Sequence, residues 1–336
     1  MEKFICKRCG NSQEQFIGYF NGIPYCRKCI SFQGKEAQNS FEVNRDLTLS
    51  LKYPLSERQQ RVSDEVFSFL LKKKNVLIHA VTGAGKTELV YQSIENFLKR
   101  GLHVGFATPR KDVVIDLLPR FLEAFQNANI ASVYGGHTAK LNGDIILLTT
   151  HQLFRYPKYF DLLVLDEIDA FPYRGNDVLN RFFQDSVRGN YVLLSATPSE
   201  EDLKQIKEQN GVVVNLYERY HRHALPLPIY EKHSLFSQKR RVLTLIRDFQ
   251  KRNMPVFLFV PTIEEGKRLF SFLSLFLQGG AFVSSKEEER RLNIERFKSK
   301  EFSFLVTTSI LERGVTVKNL QVIVFHSNHV LFSSSA

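Results

Sequence analysis

The sequence predicts an α/β protein: two tandem parallel-sheet lobes preceded by a small zinc module built on four cysteines. Three observations carry that expectation. Short apolar runs alternate with stretches of helical spacing, the pattern of a parallel sheet covered by helices on both faces. Polar clusters follow directly after the apolar runs, at the strand ends where such sheets bind ligands. All four cysteines fall in the first 29 residues, as two Cys-x-x-Cys pairs.

A length of 336 residues is enough for two packed domains and an appendage. The divisions read as a zinc module at 1–33, a linker at 34–54, a first lobe at 55–218, a second linker at 219–234 and a second lobe at 235–336. A formal net charge of +11 favours a polyanionic partner. The first residues lack the apolar core of an export signal, and no run of 18 apolar residues follows, so the expectation is a cytoplasmic chain without a transmembrane segment.

The pairs Cys6/Cys9 and Cys26/Cys29 stand 16 residues apart, the two-knuckle spacing of a tetrahedral Zn²⁺ site. Gly10, and Gly22 with Pro24, suit the turns between ligands. Two disulfides are the alternative, but a chain without an export signal keeps its thiols reduced. Four thiolates and one Zn²⁺ would bring the net charge from +11 to about +9. Residues 34–54 are polar and show no clear period, hence the linker. Ser56 and Gln59 then open a helix to about residue 73, either as a capping box or with Gln59 turned to an adenine edge.

Residues 75–79 form a short apolar strand, and 89–100 have helical spacing, with Gly101 as the stop. Between them runs Ala80-Val81-Thr82-Gly83-Ala84-Gly85-Lys86-Thr87-Glu88, the strand–turn–helix context of a phosphate-binding loop. Backbone N–H groups from Thr82 to Thr87 would close around a polyphosphate, Lys86 would reach the β/γ-phosphates of ATP, and Thr87 would hold Mg²⁺. Ala80 stands where the strict pattern has glycine. Further strands are expected at 103–107, 130–134, 144–148, 161–165 and 191–194. They end in Thr108-Pro109-Arg110, Thr149-Thr150-His151-Gln152, Asp166-Glu167-Ile168-Asp169 and Ser195-Ala196-Thr197. Asp166 would be the second Mg²⁺ ligand, and Glu167 would orient or deprotonate the attacking water.

Together with Val256 to Thr262, Leu305-Val306-Thr307-Thr308 and Glu312-Arg313-Gly314, these residues make the chain resemble a superfamily 2 helicase or translocase of the DEAD/DEAH-like kind. The resemblance implies two RecA-like lobes. It implies catalysis by Lys86, Asp166 and Glu167, and ATP binding by Gln59, Thr82, Gly83, Ala84, Gly85, Lys86, Thr87 and Gly314. Asp169, Ser195 and Thr197 would couple nucleotide state to the track. Thr108, Pro109, Arg110, Thr149, Thr150, Thr307 and Thr308 would contact DNA phosphates.

More narrowly, the four-cysteine module joined to Asp-Glu-Ile-Asp-Ala-Phe-Pro (166–172) and Leu-Glu-Arg-Gly-Val-Thr (311–316) is similar to the ComFA family, competence ATPases of naturally transformable Gram-positive bacteria. That likeness implies a motor drawing single-stranded DNA inward at the inner face of the membrane. Its partners would be a ComFC-type protein and the uptake channel, and a homo-oligomer is expected. Asp169 and Thr316 depart from the RNA-helicase pattern. The family's closing Gln-x-x-Gly-Arg-x-Gly-Arg motif is not in the sequence, so the second lobe is expected to be incomplete, truncated before the arginine finger, whose loss lowers rates roughly 10³- to 10⁵-fold in comparable enzymes. Two other readings stand beside the motor: a non-hydrolysing nucleotide-binding remnant, and a primosomal replication-restart helicase, which places its zinc ligands inside the motor.

Overall fold

The first strands form a hairpin, β1 (Ile17–Phe20) and β2 (Ile23–Cys26), paired antiparallel. Its two-residue turn is Asn21-Gly22, at φ 49° and 77°, the residue pair a type I′ turn requires. The computed structural model describes residues 4–38, 41–218, 227–284, 290–308 and 317–329. The chain divides into two units, 1–225 and 226–336.

After the hairpin the first unit runs β3 (Thr48–Leu49), α1 (Glu57–Leu71), β4 (Val76–Ala80), α2 (Lys86–Leu89), α3 (Tyr91–Lys99) and β5 (Val104–Thr108). It continues with α4 (Lys111–Ala124), β6 (Phe125–Gln126), β7 (Ile130–Val133), β8 (Ile145–Thr149) and a 3-10 turn, Thr150–Arg155. Last come β9 (Phe160–Leu165), α5 (Asp177–Ser186), β10 (Val187–Ser195), α6 (Glu200–Glu208) and β11 (Val212–Leu216).

Seven strands make one parallel sheet in the order β11-β4-β10-β9-β5-β8-β7. Every residue of β5 and β8 is buried, as expected of strands covered on both faces. Side-chain alternation then fills two cores. Ile78, Phe106, Leu147 and Val164 pack against α1, α3 and α4; Leu77, Ala107, Leu148 and Leu165 pack against α5, α6 and the 3-10 turn. The helix expected at 89–100 breaks at Val90 into α2 and α3, and Gly101 ends it at φ 74°.

Residues 34–54 are not the featureless linker that their polarity suggests. Val43 and Leu47 are buried in the first core, with Phe41, Leu49 and Leu51 packed against it. Strand β3 pairs antiparallel with β6, and Asn44 N donates to Asp144 Oδ1 at 2.7 Å. The sequence does carry a signal for this: apolar residues alternate with polar ones at 41–43 and again at 47–51. The cysteine module is likewise part of the lobe, its four sulfurs lying in the second core beside Phe154, Val178 and Phe182.

The second unit has α7 (Leu235–Lys251), β12 (Val256–Phe259), α8 (Ile263–Ser274), β13 (Gly280–Val283), α9 (Arg290–Lys298), β14 (Phe304–Thr307) and β15 (Gln321–Val324). Its parallel sheet has the order β13-β14-β12-β15. Val242, Ile246, Leu258, Leu269, Leu273 and Val306 fill one face, and Phe257, Val283, Phe297 and Leu305 the other. Gly314, Glu312, Arg313, Thr316 and the first half of the second linker, 219–226, lie outside the described residues.

Candidate nucleotide site and cysteine centre

The register of the first sheet sets Ala80, Ser195, Leu165, Thr108 and Thr149 along one edge. Ser195 pairs with His79, Leu165 with both Leu193 and Ala107, and Thr108 with Thr149. Four polar motifs that are scattered in sequence therefore meet the loop after β4 at the carboxyl ends of the strands.

That loop turns through Gly83 (φ 81°) and Gly85 (φ 75°), the left-handed conformations that favour glycine. At Gly85 there is a second reason, since a Cβ there would lie 2.6 Å from Gln59 Nε2. Gln59 braces the loop from α1: Nε2 donates to Ala84 O at 2.9 Å, while Oε1 accepts from Ser56 N at 2.8 Å. Ser56 and Gln59 complete a capping box, so the buried side chain serves helix and loop together. Lys86 and Thr87 begin α2 directly after the turn, Thr87 being buried.

Asp166 follows β9 and is buried, with its Oδ1 accepting from Glu167 N at 2.8 Å. Burial pushes its pKa up to about 6, against the nearby Lys86 charge, which pulls it down. A buried Asp166 carboxylate at the end of β9 and the Thr87 hydroxyl at the start of α2 are oxygen donors of the kind Mg²⁺ takes. Glu167 stands at φ 55° and is held by Arg110, with Nε to Oε2 at 3.2 Å and Nη2 to Oε1 at 3.1 Å. Their separation of 57 positions hides this pair from sequence reasoning. Asp169 gathers the next motif: Ser195 Oγ donates to Oδ1 at 2.9 Å and Thr197 Oγ1 to Oδ2 at 3.0 Å.

The threonines singled out for DNA are all buried: Thr108, Thr149 and Thr150 in the first unit, Thr307 and Thr308 after β14 in the second. Thr307 Oγ1 donates to Thr308 O at 3.2 Å. Thr108, Thr150 and Thr308 keep buried hydroxyls without a hydrogen-bond partner. Of the group, Arg110 presents a partly exposed charge, at the N-cap of α4 after Pro109.

In the module, Sγ of Cys6 and Cys29 are 3.6 Å apart, as are those of Cys9 and Cys26, and all four lie within 4.8 Å of one another. A tetrahedral Zn–S₄ site with bonds near 2.3 Å has sulfurs about 3.8 Å apart, so the cluster fits that ion. The cysteines are free thiols, not disulfides. Burial pushes the Cys9 thiol up to about 11 and raises Cys29 as well. Burial also opposes ionisation of Cys6, but N–H groups of Cys9 and Arg8 hold it below its ordinary value. Among the described residues no helix is long and apolar enough to cross a membrane.

The DEAD/DEAH box helicase family matches residues 59–206, and the helicase conserved C-terminal domain matches 237–329. Competence protein ComFA of Bacillus subtilis is 34% identical over 99% of this chain and 77% of its own length. Competence protein ComFA of Streptococcus pneumoniae is 31% identical over 99% of the chain and 81% of its own. Among solved structures, S. cerevisiae Dbp5 bound to RNA and ADP BeF3 superposes with a TM-score of 0.63 at 16% identity. The overlap covers 78% of this chain and 73% of Dbp5, a likeness of fold.

Proposed function

The chain belongs to the ComFA family of competence proteins, and from that premise we propose that it is an ATP-hydrolysing motor that moves along single-stranded DNA. The observation that carries the reading is the convergence of Lys86, Thr87, Asp166 and Glu167 with the Asp169–Ser195–Thr197 cluster at one sheet edge. Lys86 binds the β/γ-phosphates of ATP, and Glu167 orients the attacking water. Thr87 and Asp166 hold Mg²⁺, which when bound offsets charge on the phosphates. The threonines expected to contact phosphate are buried, so their hydroxyls do not reach a strand directly; they shape the strand-end turns. On the first unit the partly exposed Arg110 offers charge to phosphate without reading sequence. The cysteine module holds Zn²⁺. Family membership extends the proposal to DNA uptake, with a ComFC-type partner, the uptake channel and a homo-oligomer at the cytoplasmic face of the membrane. The net charge of +11 supports the polyanionic track.

The test is ATP hydrolysis with and without single-stranded DNA. Stimulation supports the motor; nucleotide binding without turnover favours the remnant. Arg110→Ala is expected to raise the unstimulated rate and flatten the DNA response, because Arg110 both restrains Glu167 and offers a charge to phosphate. An unchanged DNA response would remove Arg110 from the track.

A pH dependence follows from Asp166. Its folded pKa, about 6, lies above the ordinary 3.8. Between those values the metal-free folded state keeps a proton that the unfolded chain has released, so this group's contribution to stability falls as pH rises through the window. Protons and Mg²⁺ compete for the carboxylate, so the Mg²⁺ requirement of hydrolysis is expected to rise about tenfold for each pH unit below 6. A Mg²⁺ titration flat from pH 7 to pH 5 would contradict this.

A further inference from the structure

Arg155, at the end of the 3-10 turn that starts with Thr150, is buried although it carries a permanent charge. Among the described residues no carboxylate pairs with it, and a buried guanidinium held only by neutral groups is costly. Its donors are committed instead: Nε to Gln152 Oε1 at 2.7 Å, Nη1 to Lys35 O at 2.8 Å and Nη2 to Gln33 O at 3.4 Å. The guanidinium carbon sits 4.8 Å from the centre of the Phe154 ring, and Arg155 O accepts from Ala37 N at 2.8 Å.

The other side of the contact is shaped to receive it. Gly34, between the two accepting carbonyls, lies across the guanidinium at φ 145°, and any Cβ there would overlap it. Phe32 stacks on His151 with ring centroids 6.1 Å apart and meets Phe182 edge-on at 5.0 Å. The segment that follows Cys29 thus clamps the turn whose first residue is Thr150, and Gln152 within that turn is held by Arg155.

We propose that Arg155 is a positioning residue, fastening the Thr149–Thr150 turn to the chain that leaves the cysteine module, so that grip on a DNA strand depends on that module. The proposal rests on the motor reading for the role of Thr149 and Thr150. A displacement of about 1 Å at a positioned group can cost about 100-fold.

The test uses the metal-loaded full chain and oligothymidylate as probe, read by fluorescence anisotropy and by stimulation of ATP hydrolysis. R155A is expected to weaken DNA binding about 10- to 100-fold, with bound zinc, the KM for ATP and the unstimulated kcat unchanged. G34V, acting from the opposite side of the contact, should reproduce that split, and R155K, which keeps the charge with fewer donors, should fall between. If R155A fails to fold, R155K and G34V carry the same comparison. DNA affinity unchanged in G34V and R155K, or a KM for ATP rising in step with the DNA effect, would overturn the proposal. A wild-type chain that binds DNA without stimulated hydrolysis would count against the motor alone, because anisotropy still reads the Arg155 effect.

Discussion

Replacing Lys86 with alanine is expected to lower ATP hydrolysis by at least about 10²- to 10³-fold, the scale on which one preorganised charge-stabilising donor acts. The geometry gives the substitution two consequences. Lys86 is the first residue of α2, directly beyond the left-handed Gly85, where its ammonium would face the phosphates. It also lowers the proton affinity of Asp166, which burial has already raised. Without Lys86 the carboxylate holds its proton more tightly, so the Mg²⁺ requirement should increase alongside the loss in rate. Lys86→Arg, which keeps the charge, should restore the pH profile more fully than the rate. Steady-state hydrolysis across a Mg²⁺ series distinguishes the two. Activity within twofold of wild type in Lys86→Ala would sink the assignment of this loop.

The second large effect is removal of the metal. Cys29→Ser, or a strong chelator, is expected to strip zinc and unfold the module, because structural Zn²⁺ supplies an apparent 10–16 kcal/mol, roughly, to domains of this kind. The damage should not stop at residue 38. The four sulfurs belong to the same core as Phe154, Val178 and Phe182, and Phe32 packs on both phenylalanines. Limited proteolysis should therefore open the 3-10 turn Thr150–Arg155 as well as the hairpin, while the Gln59–Ala84 brace on the opposite core stays protected. Stoichiometric zinc retained by Cys29→Ser would show that the cluster is not a four-ligand site.

Much of the fold is legible because its signals are local. Val-Leu-Ile-His before a Gly-x-Gly-Lys-Thr turn, Leu-Leu-Val-Leu before Asp-Glu, and paired cysteines at fixed spacing each report strand, turn or ligand within a few residues. The segment 34–54 reads wrongly as a linker because its polarity outweighs its apolar residues: Asn44, Arg45 and Asp46 are polar, yet Val43 and Leu47 on either side of them reach the core. Gln59 shows the reverse case. The sequence offers a capping box or a ligand contact, and the structure has the box together with a brace on Ala84.

By itself the sequence determined the residue types at each strand end and the four sulfurs, since these depend on chain-local spacing and on which groups can bind phosphate or metal. Tertiary structure decided what those groups face. Arg110 is turned to Glu167, Asp169 to Ser195 and Thr197, and Arg155 to the backbone after the cysteine module. For Arg110 and Asp169 the physical reason is sheet order: β9 lies between β10 and β5, so residues 26 to 57 positions apart become neighbours. That order follows from packing of the whole sheet, and no single motif encodes it.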